Sequence, residues 1–191
     1  MRQLITRSIR NKQKRNKQII IGIAMIVLLV FSTAGFALFN KDSETKKTTQ
    51  KITINGFNFQ KQDNFWITTI NEQRHVFFFL PTELKNISIN ITTSLSSLKN
   101  QPLYIVNENT ARTQINFNLL TPNYVLRTPN ACLNKEECTN DFPIKNCSVD
   151  NIIIYKTSNT TKIYQEDNCI YILGEPIKGT DKFLQKILKI D

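Results

Sequence analysis

Residues 19–39 read IIIGIAMIVLLVFSTAGFALF, a run of 21 residues without one ionisable side chain. An α-helix of this length is about 30 Å long, which matches the hydrocarbon core of a bilayer. Inside lipid the backbone must satisfy its own hydrogen bonds, so a lone segment there can only be a helix. The run therefore predicts a single transmembrane helix with the lipid bilayer as its partner.

The charges on either side of this run predict its orientation. Residues 1–18 contain seven Lys and Arg and no acidic residue, whereas the linker 40–51 contains four Lys together with Asp42 and Glu44. Acidic residues count little in the positive-inside rule, so the comparison is seven against four. We expect a cytoplasmic tail at 1–18, a cell-membrane span at 19–39 and an extracytoplasmic domain at 52–191.

Two alternatives for the apolar run stay open. Ser32-Thr33-Ala34 resembles a small-residue cleavage site, so the segment could be a signal peptide, although the long basic tail and the apolar stretch up to Phe39 favour an anchor. A pilin-like filament subunit is the other alternative. Against it, the junction Lys17-Gln18-Ile19 has no Gly or Ala, and no acidic residue begins the helix.

The net charge of +10 suggests nucleic-acid binding, but its distribution argues against that function. From residue 40 onward the count is 18 basic against 15 acidic residues. The tail has no interleaved aromatic residue on which a base could stack. We therefore expect the tail to set topology and contact anionic headgroups, with no nucleic-acid partner.

The sequence of the extracytoplasmic part predicts one α/β (mixed α+β) domain with a single mixed sheet, β-meanders and a C-terminal amphipathic helix. Asn55-Gly56 between two short alternating runs is a hairpin signal, and Gly179-Thr180-Asp181 opens a helix with its apolar stripe at Phe183, Leu184, Ile187 and Leu188. Helices between apolar strands indicate crossovers with some parallel pairing. The predicted strands are 52–54, 57–59, 65–70, 75–80, 103–106, 124–126, 151–155, 162–164 and 169–173, the last three as a meander, and the predicted inner helices are 92–98 and 109–120.

The four cysteines, Cys132, Cys138, Cys147 and Cys169, favour two disulfides, because an even number in an extracytoplasmic domain is typical of a disulfide framework. Zinc binding is the weaker alternative, since no pair has the short spacing of a zinc knuckle. Three connectivities are possible, and we favour Cys132 with Cys138 and Cys147 with Cys169. We expect no metal and no cofactor.

Four sequons, at Asn86, Asn90, Asn146 and Asn159, could carry glycans in an outward domain. Asn159 is the best candidate because it lies in a predicted turn, with Asn86 and Asn90 also possible. Asn146 is the poorest, because Cys147 beside it is expected to be bridged. A sequence so rich in Asn, Ser and Thr also contains some sequons by chance.

The sequence contains no recognisable catalytic motif, whether a Walker loop, GxGxxG, GxSxG or HExxH. The one histidine, His75, lies beside Val76 and Phe77, which favours a structural strand-end role, and Trp66 is expected in the core. Paired acids at Glu136-Glu137 or Glu166-Asp167 could serve a hydrolase, although adjacent acids in polar turns are normally solvated. No catalytic residue is assigned.

Six short groups of residues in the last third form a series: Ala131-Cys132, Glu137-Cys138, Pro143-Ile144, Asn146-Cys147, Asp167-Asn168-Cys169-Ile170 and Gly179-Thr180-Asp181-Lys182-Phe183-Leu184. This series, over about residues 125–191, together with the single span, resembles uncharacterised membrane-anchored proteins of small-genome archaea. The resemblance implies a membrane location and a similar fold, and it carries over no functional residue.

These features predict a membrane-anchored, non-catalytic binding or assembly module that partners other membrane or envelope proteins. An anchored hydrolase that uses carboxylates is the alternative from another class, and a pilin-like filament subunit is the third.

Overall fold

The computed structural model describes residues 21–23, 25–26, 28–29, 50–107, 110–136, 138 and 141–191. The chain divides into two compact units, 1–48 and 49–191. In the first unit the described residues are helical and exposed. No helix in the described ranges combines the length and apolar content that a bilayer span requires. The tail 1–18 and most of the segments 19–39 and 40–51 lie outside those ranges, and so do the anchor and pilin-like predictions.

The second unit has a mixed α+β fold with two sheets, where a single mixed sheet was predicted. Its strands are β1 Lys51–Ile54, β2 Phe57–Gln62, β3 Phe65–Ile70, β4 Gln73–Phe77, β5 Ser88–Asn90, β6 Tyr104–Val106, β7 Ile152–Lys156, β8 Lys162–Glu166 and β9 Cys169–Leu173. Its helices are the 3₁₀ turn Pro81–Leu84, α1 Leu95–Leu98, α2 Arg112–Ile115 with its π-helical continuation Asn116–Leu120, and α3 Pro176–Ile187.

The first sheet is an antiparallel meander in the order β1-β2-β3-β4. Its first hairpin turns at Asn55 and Gly56, whose φ angles of 51° and 83° suit residues that tolerate the left-handed region, so the predicted hairpin is confirmed. The predicted strands 65–70 and 75–80 leave a gap of four residues, but Asn71 and Glu72 alone make the turn between β3 and β4. Strand β4 therefore begins at Gln73 and ends at Phe77, where a strand over 75–80 was predicted.

The second sheet is mixed, in the order β5-β8-β9-β7-β6, and the predicted terminal meander is wrong. Strand β9 lies between β7 and β8, parallel to β7 and antiparallel to β8. The physical reason is burial: four of the five residues of β9 are buried but only one of those of β8, so β9 takes the central position beside β7. The predicted parallel pairing is confirmed at β5–β8, β6–β7 and β7–β9.

Helix α3 packs against both the second sheet and the other helices. It begins at Pro176, three residues before the predicted start, because proline is well suited to the first helical turn. The predicted stripe of Phe183, Leu184, Ile187 and Leu188 is buried. The burial extends beyond that stripe: Lys182 is only 8% exposed and its Nζ lies 3.3 Å from Asp191 Oδ2. Side chains on most sides of this helix are therefore buried.

The remaining elements differ from prediction mainly at their ends. Helix α1 is shorter than predicted and is capped by Ser94, whose side chain accepts from the Ser97 backbone. Helix α2 begins at Arg112, three residues after the predicted start at Asn109, which lies outside the described residues. Residues 124–126 are irregular and form no strand.

Each face of the second sheet contributes to a separate apolar cluster. The larger cluster joins one face to the first sheet and the helices, and includes Phe59, Phe77, Ile153 and Phe183. The smaller cluster covers the opposite face, around Tyr104, Ile152, Ile154 and Tyr171. Strands β6, β7 and β9 are consequently buried on both faces, as their apolar sequences require, whereas β5 and β8 keep exposed residues.

Gly179 allows the close approach of α3 to strand β9. A Cβ atom at this position would lie 2.4 Å from Ile172 Cγ2, and Ile172 is itself only 1% exposed. We expect Gly179→Ala to lower the free energy of unfolding, because overpacking costs about 1–3 kcal/mol and outweighs the roughly 1 kcal/mol that alanine gains in a helix. Urea unfolding measures this, with Lys186→Ala at an exposed position of the same helix as control. A variant more stable than the wild type would contradict the close approach.

Candidate functional site

The structure joins Cys132 to Cys138 and Cys147 to Cys169, with Cα–Cα distances of 5.6 and 5.0 Å. This is the connectivity that the sequence favours. The second bridge ties the loop before β7 to the first residue of β9, and both Cys147 and Cys169 contact the smaller apolar cluster. Within the described residues no group of three or more His, Cys, Asp or Glu is placed to hold a metal ion.

The sequon asparagines Asn86, Asn90 and Asn159 are all exposed. Asn90 ends strand β5 and Asn86 precedes it, while Asn159 lies between β7 and β8. Because β5 pairs with β8, these three positions surround the same edge of the second sheet. Asn146 is exposed as well, and its Oδ1 accepts from the Ser148 backbone. Attachment of glycans at these positions stays a prediction.

The most polar part of the interior lies along the outer edge of strand β4. Asn118 accepts a hydrogen bond from Val76 N at 2.9 Å and donates to Val76 O at 2.7 Å, as a neighbouring strand would. Asp181 Oδ2 accepts from the backbone N–H groups of Phe78 and Phe79 at 2.7 and 2.8 Å. Side chains on α2 and α3 thus satisfy the strand edge that they bury.

Asp181 is fully buried, and burial raises the pKa of its carboxyl to about 7. The hydrogen bonds from Phe79, Phe78 and the Gln114 side chain oppose that rise, because they favour the charged form. From its sequence context, Asp181 is predicted only to lie at the opening of a helix. Its signal was its alignment with Leu184, Gln185 and Leu188 on one helical face, which predicts burial.

His75 belongs to the same buried region and does not face the surface. Its Nδ1 lies 3.3 Å from Asn118 Oδ1, and its ring stacks on Tyr124 with centroids 6.0 Å apart. Burial lowers the pKa of the imidazole, and the hydrogen bond to Asn118 opposes this. The Nε2 atom of His75 has no hydrogen-bond partner among the described atoms. Thr68 pairs with His75 across β3 and β4, and its Oγ1 has no partner among the described atoms either. Trp66 is buried in the core as predicted.

A groove of about 580 Å³ lies over the outer face of strands β3 and β4, beside α2 and its π-helical continuation. Its apolar lining comes from the sheet and from the helix. The sheet contributes Phe65 and Ile67 on β3, Val76 on β4 and Phe78 just after it, and the helix contributes Phe117. Phe65 is 37% exposed and Phe117 is 52% exposed. The rings of Phe65 and Phe78 meet edge to face, with centroids 4.8 Å apart.

The polar groups of the groove lie at its rim and on the helical wall. Arg74 Nη2 donates to Gln62 Oε1 at 2.9 Å, and Asp63 lies in the turn beside Gln62. Gln114 contributes to the wall, and its Nε2 donates to Asp181 Oδ1. The wall of the groove is therefore hydrogen-bonded to the buried carboxyl. The other polar lining residues are Thr110, Thr113 and Thr121.

The described members of the two pairs of adjacent acids that could serve a hydrolase lie outside the groove. Glu166 and Asp167 are exposed at the turn between β8 and β9, Glu136 is exposed, and Glu137 is outside the described residues. None of the three described acids lines the groove, whose acidic lining residue is Asp63. The arrangement that the structure does provide is an apolar concavity with one guanidinium at its rim, which suits binding of a small or extended apolar group.

No protein-family model matches this sequence, and no curated protein or solved structure matches it either. The resemblance to membrane-anchored archaeal proteins therefore stays a prediction that rests on the residues quoted for it.

The buried carboxyl predicts a specific dependence of stability on pH. Because the pKa of Asp181 is raised from 3.8 to about 7 on folding, the folded state holds its proton more tightly than the unfolded state. Its contribution to stability is then complete below about pH 4 and is lost as the pH rises through about 7. We expect wild type to lose up to about 4 kcal/mol more than Asp181→Asn over this range. The asparagine keeps an oxygen for the Phe78 and Phe79 N–H groups.

Urea unfolding of both proteins at a series of pH values measures this difference. Glu175→Gln, at an exposed acid just before the same helix, is the matched control and should follow the wild-type curve. Parallel curves for wild type and Asp181→Asn would mean that the carboxyl does not titrate with a raised pKa.

The role of Asn118 at the strand edge gives another prediction. Asn118→Ala removes the partners of both Val76 N and Val76 O, and each buried group left unsatisfied costs about 1–3 kcal/mol. We expect a loss of at least about 2 kcal/mol in the free energy of unfolding. Asn116→Ala on the same helix removes one side-chain bond, to Thr128, and should cost clearly less. Equal losses would show that the strand edge gains nothing particular from Asn118.

Proposed function

We propose that the chain is a membrane-anchored, extracytoplasmic binding or assembly module that is not an enzyme. In this proposal residues 1–18 are cytoplasmic, residues 19–39 cross the membrane and residues 52–191 lie outside. The charge asymmetry around the apolar run supports the orientation. Two disulfides support an oxidising compartment, because such bonds persist mainly outside the cytosol. The resemblance to anchored archaeal proteins agrees with the same location.

The groove over β3 and β4 is the observation that carries the binding role. Its volume of about 580 Å³ falls in the range of small-molecule and side-chain binding sites. Partly exposed aromatic residues such as Phe65 and Phe117 are unfavourable in water unless something covers them. The groove rests on a hydrogen-bonded sheet and a helix anchored to Asp181, so its shape is set before a ligand arrives.

The chemistry of the lining favours binding over catalysis. The described lining residues include no His, Cys or Ser that could act as base or nucleophile beside a second catalytic group. The partners that this proposal implies are other membrane or envelope proteins, or ligands carried between them. No nucleic acid is expected.

The location is tested by labelling intact cells with a membrane-impermeant thiol reagent. We expect Cys132, Cys138, Cys147 and Cys169 to react only after a reductant is added, because both pairs are bridged. Protease added outside should digest residues 52–191 and spare residues 1–18. Labelling without reductant would contradict the disulfides, and a protected domain would reverse the topology.

The binding role is tested by placing a photo-crosslinking amino acid in the groove of the full chain. Phe117 is the suitable position because it lines the groove and is 52% exposed. Phe142, which is 36% exposed and does not line the groove, is the matched control. We expect a discrete adduct at Phe117 and none at Phe142. Equal or absent adducts at both positions would overturn the groove as the binding site.

A further inference from the structure

We propose that the groove binds a monocarboxylate with an aromatic or branched apolar body. This inference rests on the binding role proposed above and specifies the ligand's chemistry. Two features of the groove support it. One is the lining of aromatic and branched side chains, and the other is the guanidinium of Arg74 at the rim, which donates a hydrogen bond to the neutral amide of Gln62.

The apolar body follows from the lining. Ile67 and Val76 face each other across β3 and β4, and Phe65 and Phe78 make the next pair along the same face. Phe117 closes the helical side. An aromatic or branched group placed here can contact rings from three directions, and aromatic pairs gain from edge-to-face contact beyond the area that they bury.

The negative charge follows from the placement of Arg74. Arg74 pairs with Thr69, whereas Gln62 pairs with Phe65, so the bond from Arg74 to Gln62 requires the arginine side chain to extend along the sheet past Ile67. The guanidinium is thereby positioned beside the aromatic end of the groove. None of the ion pairs among the described residues involves Arg74. A guanidinium held by a neutral amide keeps donors in the fork geometry that a carboxylate matches.

The restriction to one negative charge follows from the number of cationic groups in the groove. Arg74 is the one cationic side chain among the described lining residues, and Asp63 on the same rim is acidic. A monoanion that approaches Arg74 from the groove gains a charge-assisted hydrogen bond. A dianion such as a phosphate monoester must leave water with two charges, and this cation can pair with only one of them. The site should therefore prefer a carboxylate to a phosphate carried on the same ring system.

The experiment measures binding of three probes that share one ring system: naphthoate, naphthylmethanol and naphthyl phosphate. Isothermal titration calorimetry of the full chain in a non-ionic detergent, with detergent-only blanks, gives each dissociation constant. We expect naphthoate to bind about tenfold more tightly than naphthylmethanol, as one charge-assisted hydrogen bond provides. Naphthyl phosphate should bind more weakly than naphthoate.

Variants then assign the contacts. Arg74→Gln should weaken naphthoate about tenfold and leave naphthylmethanol unchanged, while Arg74→Lys should recover part of the loss because it restores the charge without the fork. Phe117→Ala should weaken both probes. Arg127→Gln, at an exposed arginine outside the groove, is the matched control and should change neither. Thermal unfolding curves establish that each variant is folded.

Equal affinities for naphthoate and naphthylmethanol, or equal effects of Arg74→Gln and Arg127→Gln, would overturn the inference. So would the absence of binding by any probe. These failures are distinguishable from failure of the proposed function: an adduct at Phe117 without carboxylate selectivity would refute the ligand class and leave the binding module in place.

Discussion

The buried edge of strand β4 is the constraint on which the rest of the domain depends. An edge that faces solvent can bond to water, but an edge covered by helices must find its donors and acceptors in the protein. Asn118 supplies an acceptor for Val76 N and a donor for Val76 O. Asp181 accepts from the N–H groups of Phe78 and Phe79. Gln185 donates to Phe79 O at 2.7 Å. Helical side chains thus take the place of a fifth strand, and they join the first sheet to α2 and α3.

These polar contacts also fix where the helices lie. Apolar contacts are non-directional, so the large cluster by itself tolerates small shifts of a helix along the sheet. An amide that bonds to one particular residue tolerates none, and a shift would leave buried groups unsatisfied. Since Gln114 is hydrogen-bonded to Asp181 and also lines the groove, the same contacts that close the strand edge set the wall of the groove. The fold and the candidate site share one set of hydrogen bonds.

Local signals in the sequence predict where each strand begins and ends better than they predict which strands lie side by side in a sheet. Strands β3 and β9 coincide with the predicted ranges, because each is an aromatic and β-branched run bounded by polar turns. The hairpin at Asn55-Gly56 was predictable because two residues both make the turn and place the strands side by side. The connection from β7 to β8 carries no such information. The position of β9 between β7 and β8 goes with burial, a tertiary property: β9 is buried at four of its five residues and β8 at one.

The candidate site was not predictable for a related reason. Arg74 and Phe117 lie more than forty positions apart, on a strand and a helix whose contact no local pattern specifies. Each has an ordinary local explanation, as a polar residue near a turn or an apolar residue on a helix. Asp181 did carry a signal: it precedes Leu184 and Leu188 by three and seven positions, so it shares their buried face. A buried carboxylate on such a face needs hydrogen-bond donors from another element. The unpaired N–H groups of a strand edge can supply them, although the sequence does not say which strand.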